Sequence, residues 1–265
     1  MSDHRIRKAI QKGWDTMSPT YQRDSVISTD DVHYGPLLPG ECDLHLLGDV
    51  KDKRVLELAS GAAQNSIALS KLGAKTVAID VSPVQQEAAR THLEDEGITV
   101  DLVLNDAQKL CFTDNVFDLI VSSNGMEFIP DLESCLNECY RVLCPDGLFV
   151  MSTVHPLSAF AWNDSLQALQ IHDYFNPPVE LWEDVQPYNG QYGLTLFRSI
   201  SETFTTLVSV GFRVDKILEL PAMPIHDMSP DDHKRIPYRG KDWEHRYFEM
   251  SKVPFNVIYV AIKES

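Results

Sequence analysis

Between Arg54 and Met151, apolar runs of strand length alternate with helical stretches at short intervals. That alternation restricts the chain to βαβ units, because parallel neighbours can be joined only by a crossover, and crossover helices cover the faces of the sheet they span. "RVLELA" reads as a first strand, "QNSIALSKLG" as a helix stopped by Gly73, and "KTVAIDV" as a second strand. "SPVQQEAARTHLEDEG" follows as a helix with Ser82 as N-cap, Pro83 at the first helical position and Gly97 as terminator. "TVDLVLND" and "FDLIVSS" supply a third and a fourth strand, "DLESCLNECYRVLCPDG" a helix begun at Asp131, and "LFVMSTV" a fifth strand. Later, "SISETFTTLVSVGF" reads as a helix, and "RVDKILEL" and "FNVIYVAI" as strands that add an antiparallel edge. The expectation is an α/β, Rossmann-like, doubly wound fold whose mostly parallel seven-stranded sheet ends in an antiparallel last strand.

The flanks have a different texture. Residues 1–50 begin like a helix and continue into "STDDVHYGPLLPGE", so they are expected to form an N-terminal helical lid and linker. Residues 51–265 make up the Rossmann-like domain, with a cap insertion after the fifth strand at about 156–197, rich in aromatics and broken by Pro177 and Pro178. Lys and Arg total 23 against 39 Asp and Glu, a net charge of −16, and such a field repels phosphate backbones and anionic membrane surfaces. Neither a nucleic acid nor a membrane is therefore expected as partner. Five cysteines at scattered spacings give no disulfide framework, and no histidines stand at metal-ligand spacing, so no metal is expected. The N-terminus is charged where a signal peptide needs an apolar core, and no apolar run approaches the roughly 18 residues of a membrane span. A soluble, cytoplasmic protein is the expectation.

The join between the first strand and its helix is built from small residues: Ala59, Ser60, Gly61, Ala62 and Ala63. In open α/β sheets, ligands lie beyond the carboxyl ends of the strands, and small residues let one approach the backbone there. The same residues would also serve tight strand-to-helix packing. Asp80, at the end of the second strand, stands about 20 residues beyond that turn, where a carboxylate can accept from both hydroxyls of a ribose. Asp106, at the end of the third strand in "NDAQ", puts another carboxylate on the same rim, where it could accept from an exocyclic adenine amine.

At this point the sequence resembles the class I S-adenosylmethionine-dependent methyltransferases, in particular their small-molecule, type 11-like members. "VLELASGAAQNSIALSKLGAKTVAIDVS" is similar to the family's glycine-rich turn and ribose strand, and "NDAQKLCFTDNVFDLIVSSNGMEFIPD" to its next two motifs. "LNECYRVLCPDGLFVMSTVHP" is similar to its later helix and fifth strand. The resemblance implies S-adenosyl-L-methionine as cofactor, S-adenosyl-L-homocysteine as product and a small-molecule methyl acceptor. It implies that Glu57, Ala59, Ser60 and Gly61 face the methionine part, that Asp80 holds the ribose with Val81 and Gln85 beside the nucleoside, and that Asp106, Ala107 and Gln108 read the adenine. Ser123 and Asn124 would border the reacting methyl, and Tyr21 would close over the cofactor. Ala59 and Ala63 depart from the family, standing where its turn carries glycines.

Methyl transfer needs an acceptor held in line with the sulfur and, for a protic acceptor, a base. His155 after the fifth strand and Glu127 after the fourth are the candidate catalytic residues. Trp14, His33, Tyr34, Trp162, Tyr192 and Arg198 are the candidates for the acceptor pocket. Each has a plainer reading: a packing residue, a loop hydrogen bond, a surface ion pair or, for Glu127, an exposed helix-start carboxylate. Two other functions remain open at this stage. One is a catalytically silent S-adenosylmethionine-binding subunit. The other is a nicotinamide-dinucleotide dehydrogenase, against which "ASGAAQNS" offers one glycine of the three that a pyrophosphate turn uses. The sequence is silent on oligomeric state.

Overall fold

A computed structural model describes residues 3–178, 180–182 and 193–265. The apolar runs form β1 (Arg54–Leu58), β2 (Lys75–Asp80), β3 (Asp101–Leu104), β4 (Phe117–Ser123), β5 (Leu143–Val154), β6 (Phe212–Glu219) and β7 (Asn256–Lys263). They join in one seven-stranded sheet in the order β6-β7-β5-β4-β1-β2-β3. Neighbours from β5 to β3 are parallel, whereas β7 runs antiparallel to both β5 and β6. This is the Rossmann-like, doubly wound sheet with an antiparallel end that the alternation predicts.

The central strands are apolar on both faces because both faces are covered. Leu56, Leu58, Ile120 and Phe149 pack on one side with Cys135, Leu136 and Cys139 of α4 (Leu132–Val142) and Leu207 of α5 (Ile200–Val210). Val55, Leu119, Val121 and Val150 pack on the other with Ala68 and Leu69 of α2 (Gln64–Lys71). The irregular stretch before β1 completes that second layer: Val32, Tyr34, Leu38, Leu47 and Val50 are all buried in it. A small-residue cluster of Ala63, Ala78 and Ala89 seats α3 (Pro83–Glu96) close to β2.

Capping chemistry sets the helix boundaries. The Ser82 side chain accepts from the Gln85 N–H at 3.1 Å, and Gly97 closes α3 in the left-handed region at φ 63°. Asp131 accepts from the Ser134 N–H at 2.9 Å and starts α4. α4 stops at Val142, before the expected "CPDG", because Leu143 already pairs with Phe117 of β4 and the chain there enters β5. The largest difference lies at the N-terminus. There α1 (Asp3–Asp24) continues through Pro19, where a missing donor ordinarily ends a helix. Side chains on both sides of the proline are tied to the rest of the fold: Asp15 accepts from Ser82 Oγ, Ser18 donates to Gln85, and Gln22 bonds Gln85 and Gln64.

The cap expected at about 156–197 contains two short hairpins, Ala161–Asn163 with Ala168–Gln170 and Glu180–Trp182 with Gly193–Thr195. Tyr192 lies outside the described residues. Among the described residues no helix is long and apolar enough to cross a membrane.

Removing the α4 cap tests this boundary chemistry. Asp131→Ala should cost about 1 kcal/mol, the usual value for an N-cap. Thermal melting should then fall by a few degrees; an unchanged midpoint would show that the cap carries no net stability.

Candidate active site

The carboxyl ends of β1, β2, β3 and β4 open into one crevice, roofed by α1, that encloses about 970 Å³ counted out to solvent. Every residue assigned above to the cofactor lines it: Tyr21, Glu57, Ala59, Ser60 and Gly61; Asp80, Val81 and Gln85; Asp106, Ala107 and Gln108; and Ser123 with Asn124. Trp14 and His33 of the acceptor set line it as well.

Its floor is the small-residue turn. Ala59 (φ 49°), Gly61 (φ 55°) and Ala63 (φ 60°) all sit in the left-handed region. An L-residue there costs roughly 1–2 kcal/mol, which alanine bears at Ala59 and Ala63. In return, the Gly61 N–H is aimed across the crevice and donates to Asp80 Oδ2 at 2.9 Å. The Ser82 N–H donates to the other oxygen at 2.8 Å. Asp80 is therefore fixed by backbone N–H groups, that of Val81 among them, and burial pushes its pKa up to about 6. Glu57 accepts from the N–H and Oγ of Ser66, and burial raises its carboxyl to about 7.

Asp106 is engaged on both oxygens, by Arg7 of α1 and by the Gln108 N–H at 2.9 Å. Gln85 accepts from Ser18 and Gln22, so its carbonyl holds α1 in place. Ser123 Oγ donates to the His33 carbonyl at 2.8 Å. Asn124 is at φ 54°, and its side chain accepts from Asn256, the first residue of β7, at 3.0 Å.

Five residues of the catalytic and acceptor sets do not line the crevice. His155 is buried, its Nδ1 accepts from the Leu157 N–H at 3.0 Å, and its Nε2 meets Glu219 at 2.7 Å; it caps the turn at Pro156 and does not line the crevice. Tyr34 is wholly buried and donates to Glu41 Oε2 at 2.6 Å. Trp162 lies on a hairpin against Phe248, 6.1 Å between ring centroids. Arg198, expected in a surface pair or on the acceptor, instead donates to the carbonyls of Met126, Ile129 and Pro130. It thus clamps the loop whose Phe128, Ile129 and Pro130 do line the crevice.

Glu127 lies within that loop but not on the crevice wall. It is 2% exposed, accepts from Thr153 Oγ1 at 2.9 Å, and burial raises its carboxyl to about 7. The plainer reading, an exposed helix-start carboxylate, is overturned by that burial.

Arg7, Ile10, Gln22, Ile27 and Phe128 also line the crevice and were not singled out. Arg7, Ile10 and Trp14 recur at helical spacing along one face of α1, and Tyr21 continues that face. That periodicity was the available signal.

The methyltransferase domain family matches residues 56–151, the stretch that builds this crevice from β1 to β5. Residues 56–151 thus carry a methyltransferase domain. That match sets the dehydrogenase reading aside. A demethylmenaquinone methyltransferase of Thermus thermophilus is 35% identical over 106 residues, covering 39% of this chain and 48% of the relative. An uncharacterized protein of Mycobacterium tuberculosis is 32% identical over 94 residues, covering 36% of this chain and 34% of the relative. The matched part thus spans between a third and a half of these curated relatives. Among solved structures, an S-adenosylmethionine-dependent methyltransferase of Mesorhizobium loti superposes with a TM-score of 0.63 at 20% identity, covering 83% of this chain and 94% of that one. The [4+2]-cyclase SpnF superposes equally well, with a TM-score of 0.63 at 16% identity over 97% of this chain and 96% of its own. Likeness at these identities shows a shared fold.

The crevice fits the cofactor of this domain class. A Cβ added at Gly61 would meet nothing nearer than the Gln85 side chain at 3.8 Å, so the turn leaves room for a ligand against its backbone. Ser60 Oγ is buried without a hydrogen-bond partner, an orphan that a bound polar group would satisfy. Asp80 presents two acceptors to the two donors of a ribose.

Two predictions come from this geometry. A Cβ at Gly125 would lie 2.5 Å from the Ala59 Cβ, so Gly125→Ala should lower the melting temperature, and Ala59→Gly in the same chain should restore most of the loss. A purely additive double mutant would show that the two backbones do not meet. Asp80, Glu57 and Glu127 all have pKa values raised above their unfolded values, so the folded chain binds more protons than the unfolded one from about pH 4 to 7. Their contribution to stability is present below that window and is lost as pH rises through 6 and 7. Melting of the free protein should therefore fall between pH 5 and pH 8, and replacing Glu127 by Gln should flatten the fall.

Proposed function

We propose that the chain binds S-adenosylmethionine in this crevice and transfers its methyl group to a small organic acceptor. The carrying observation is Asp80, which the Gly61 and Ser82 N–H groups hold open toward the crevice within the stretch that matches the methyltransferase family. When bound, the cofactor supplies a methyl on a sulfonium, already activated. The protein's share is to bind, orient and exclude water.

In this reading Asp80 takes the ribose hydroxyls, and the turn from Ala59 to Gly61 lies along the methionine part. Ala107 and Gln108 flank the adenine. Asp106 accepts from its amine at the cost of loosening Arg7, so cofactor entry and the seating of α1 are linked. α1 is the lid: Arg7, Ser18 and Gln22 latch it to the rim, and Trp14 and Tyr21 shut out water. Trp14, Phe128 and Ile129 make the acceptor side apolar. A compact acceptor fits a crevice of this size. Two relatives, the demethylmenaquinone methyltransferase of Thermus thermophilus and the ubiquinone biosynthesis O-methyltransferase of Actinobacillus pleuropneumoniae, are consistent with a ring-bearing acceptor. The charge of −16 favours a soluble location and a partner other than nucleic acid.

A second reading is a protein that holds the cofactor without transferring its methyl. It is supported by the likeness to the cyclase over 97% of the chain and by the alanines at positive φ in the turn. One fold hosts many chemistries.

Calorimetry with S-adenosylhomocysteine tests the binding step. Saturable binding is expected, weakened at least tenfold in Asp80→Asn, since each lost hydrogen bond to a charged group is worth about 1.5–3 kcal/mol. The ribose donors favour ionised Asp80, so affinity should hold above pH 7 and fall as pH drops through about 6. An Asp80→Asn variant that binds as tightly as the parent would remove the proposed site. Labelled-methyl transfer to an acceptor panel then separates the two readings: binding without any transfer favours the second.

A further inference from the structure

The titratable side chains on the crevice wall are nearly all engaged. Arg7 and Asp106 pair with each other, Asp80 holds the Gly61 and Ser82 N–H groups, Glu57 holds Ser66, and Tyr21 meets the Tyr238 hydroxyl. His33 is the exception. It is 8% exposed, its Nδ1 is buried without a partner, and neither ring nitrogen makes a hydrogen bond among the described residues. Leaving a buried polar atom unpaired destabilises the free protein, and a chain tolerates that most readily where a ligand completes the pairing.

The backbone of His33 is fixed as firmly as its ring is free. Its N–H donates to Asn65 Oδ1 at 2.9 Å, its carbonyl accepts from Asn65 Nδ2 at 3.3 Å, and Ser123 Oγ donates to the same carbonyl. His33 is thereby tied to the first turn of α2 and to the end of β4. The ring packs edge-on against Tyr238, with centroids 5.0 Å apart, so its position is set by packing as well.

We propose that His33 accepts the hydrogen bond of a hydroxyl on the acceptor and takes its proton during transfer, which makes the acceptor an alcohol or phenol carried on an apolar, ring-sized body. This rests on the methyltransferase reading above. The step balances without a further reagent. A lone pair of the acceptor oxygen forms the new bond to the methyl carbon, the sulfur keeps the electron pair of the carbon–sulfur bond that breaks, and the hydroxyl proton passes to the imidazole. A methyl ether, the neutral thioether and an imidazolium result, and the imidazolium returns its proton to water.

The strength of the base matches an oxygen. Burial lowers the His33 pKa to about 4, so the ring is neutral and able to accept throughout the physiological range. A hydroxyl oxygen becomes a strong acid as it is methylated, so a weak base suffices. A methylated amine holds its proton far more tightly, and a base of this strength leaves it there. His155, the other candidate, has both nitrogens engaged outside the crevice.

The test uses the full chain saturated with S-adenosylhomocysteine, whose binding is measured first. Failure there defeats the methyltransferase reading itself. 4-Methylphenol and 4-methylanisole, which differ in the hydroxyl, are then titrated in separate calorimetric runs. The phenol should bind at least tenfold tighter than the ether, and His33→Ala and His33→Phe should abolish that preference while leaving S-adenosylhomocysteine affinity within twofold. Equal binding of the two probes, a preference that survives both substitutions, or binding of neither probe to the loaded protein would each overturn the assignment to His33 and a ring-borne hydroxyl.

Discussion

A carboxylate buried at the end of β2 is unfavourable unless something fixed answers it, and in this chain the answer is the backbone. The N–H groups of Gly61 and Ser82 reach Asp80 from two separate turns, so one side chain joins the end of β1 to the start of α3. Much else around the site follows from that closure. The chain after β1 must pass through left-handed conformations to turn its N–H inward, the residues there must be small, and Gly125 must leave space for the Ala59 methyl. With its neighbours kept small, the turn opens toward the crevice rather than filling it.

The N-terminal segment depends on the same ends of the strands in a different way. α1 touches the rim through side chains, Arg7 on Asp106, Asp15 on Ser82 and Gln22 on Gln85, and those partners are themselves crevice or cap residues. These part-buried hydrogen bonds are individually modest, and the buried Ile10 and Met17 and the edge-on packing of Trp14 on Phe128 add apolar contact to them. The stretch after α1 behaves differently. Tyr34 with Glu41, and Val32 with Leu47 and Val50, are locked into the core beneath β1 and β4, so His33 has a rigid mount.

The order of elements was legible in the sequence because it is written in short-range terms. Ser82, Pro83 and Gly97 announce α3 without reference to anything distant, and the two-faced burial of β1 and β4 shows as mostly apolar runs. The crevice wall at the strand ends was legible for a related reason: it is made of strand ends and the turns that follow them, at spacings fixed by the βαβ unit. The acceptor side was not. His155 follows a strand on the right rim, but whether its ring faces the crevice depends on Glu219 of β6, 64 residues away. Arg198 reads as a surface cation until the carbonyls of the loop after β4 are seen around it. Such partners come together only through the sheet order.

Burial and satisfaction together distinguish the two histidines. Both are more than nine-tenths buried, and by sequence His155 has the better claim, standing at a strand end while His33 sits in an irregular stretch. Yet a histidine whose two nitrogens are both bonded has little left to offer a substrate, since taking a proton there means breaking a contact that already holds a loop. One whose nitrogens are unpaired, with its backbone pinned on both sides, costs the free protein stability that a ligand can restore. The expense is retained in the folded chain where His33, Ser123 and Asn124 line the crevice together.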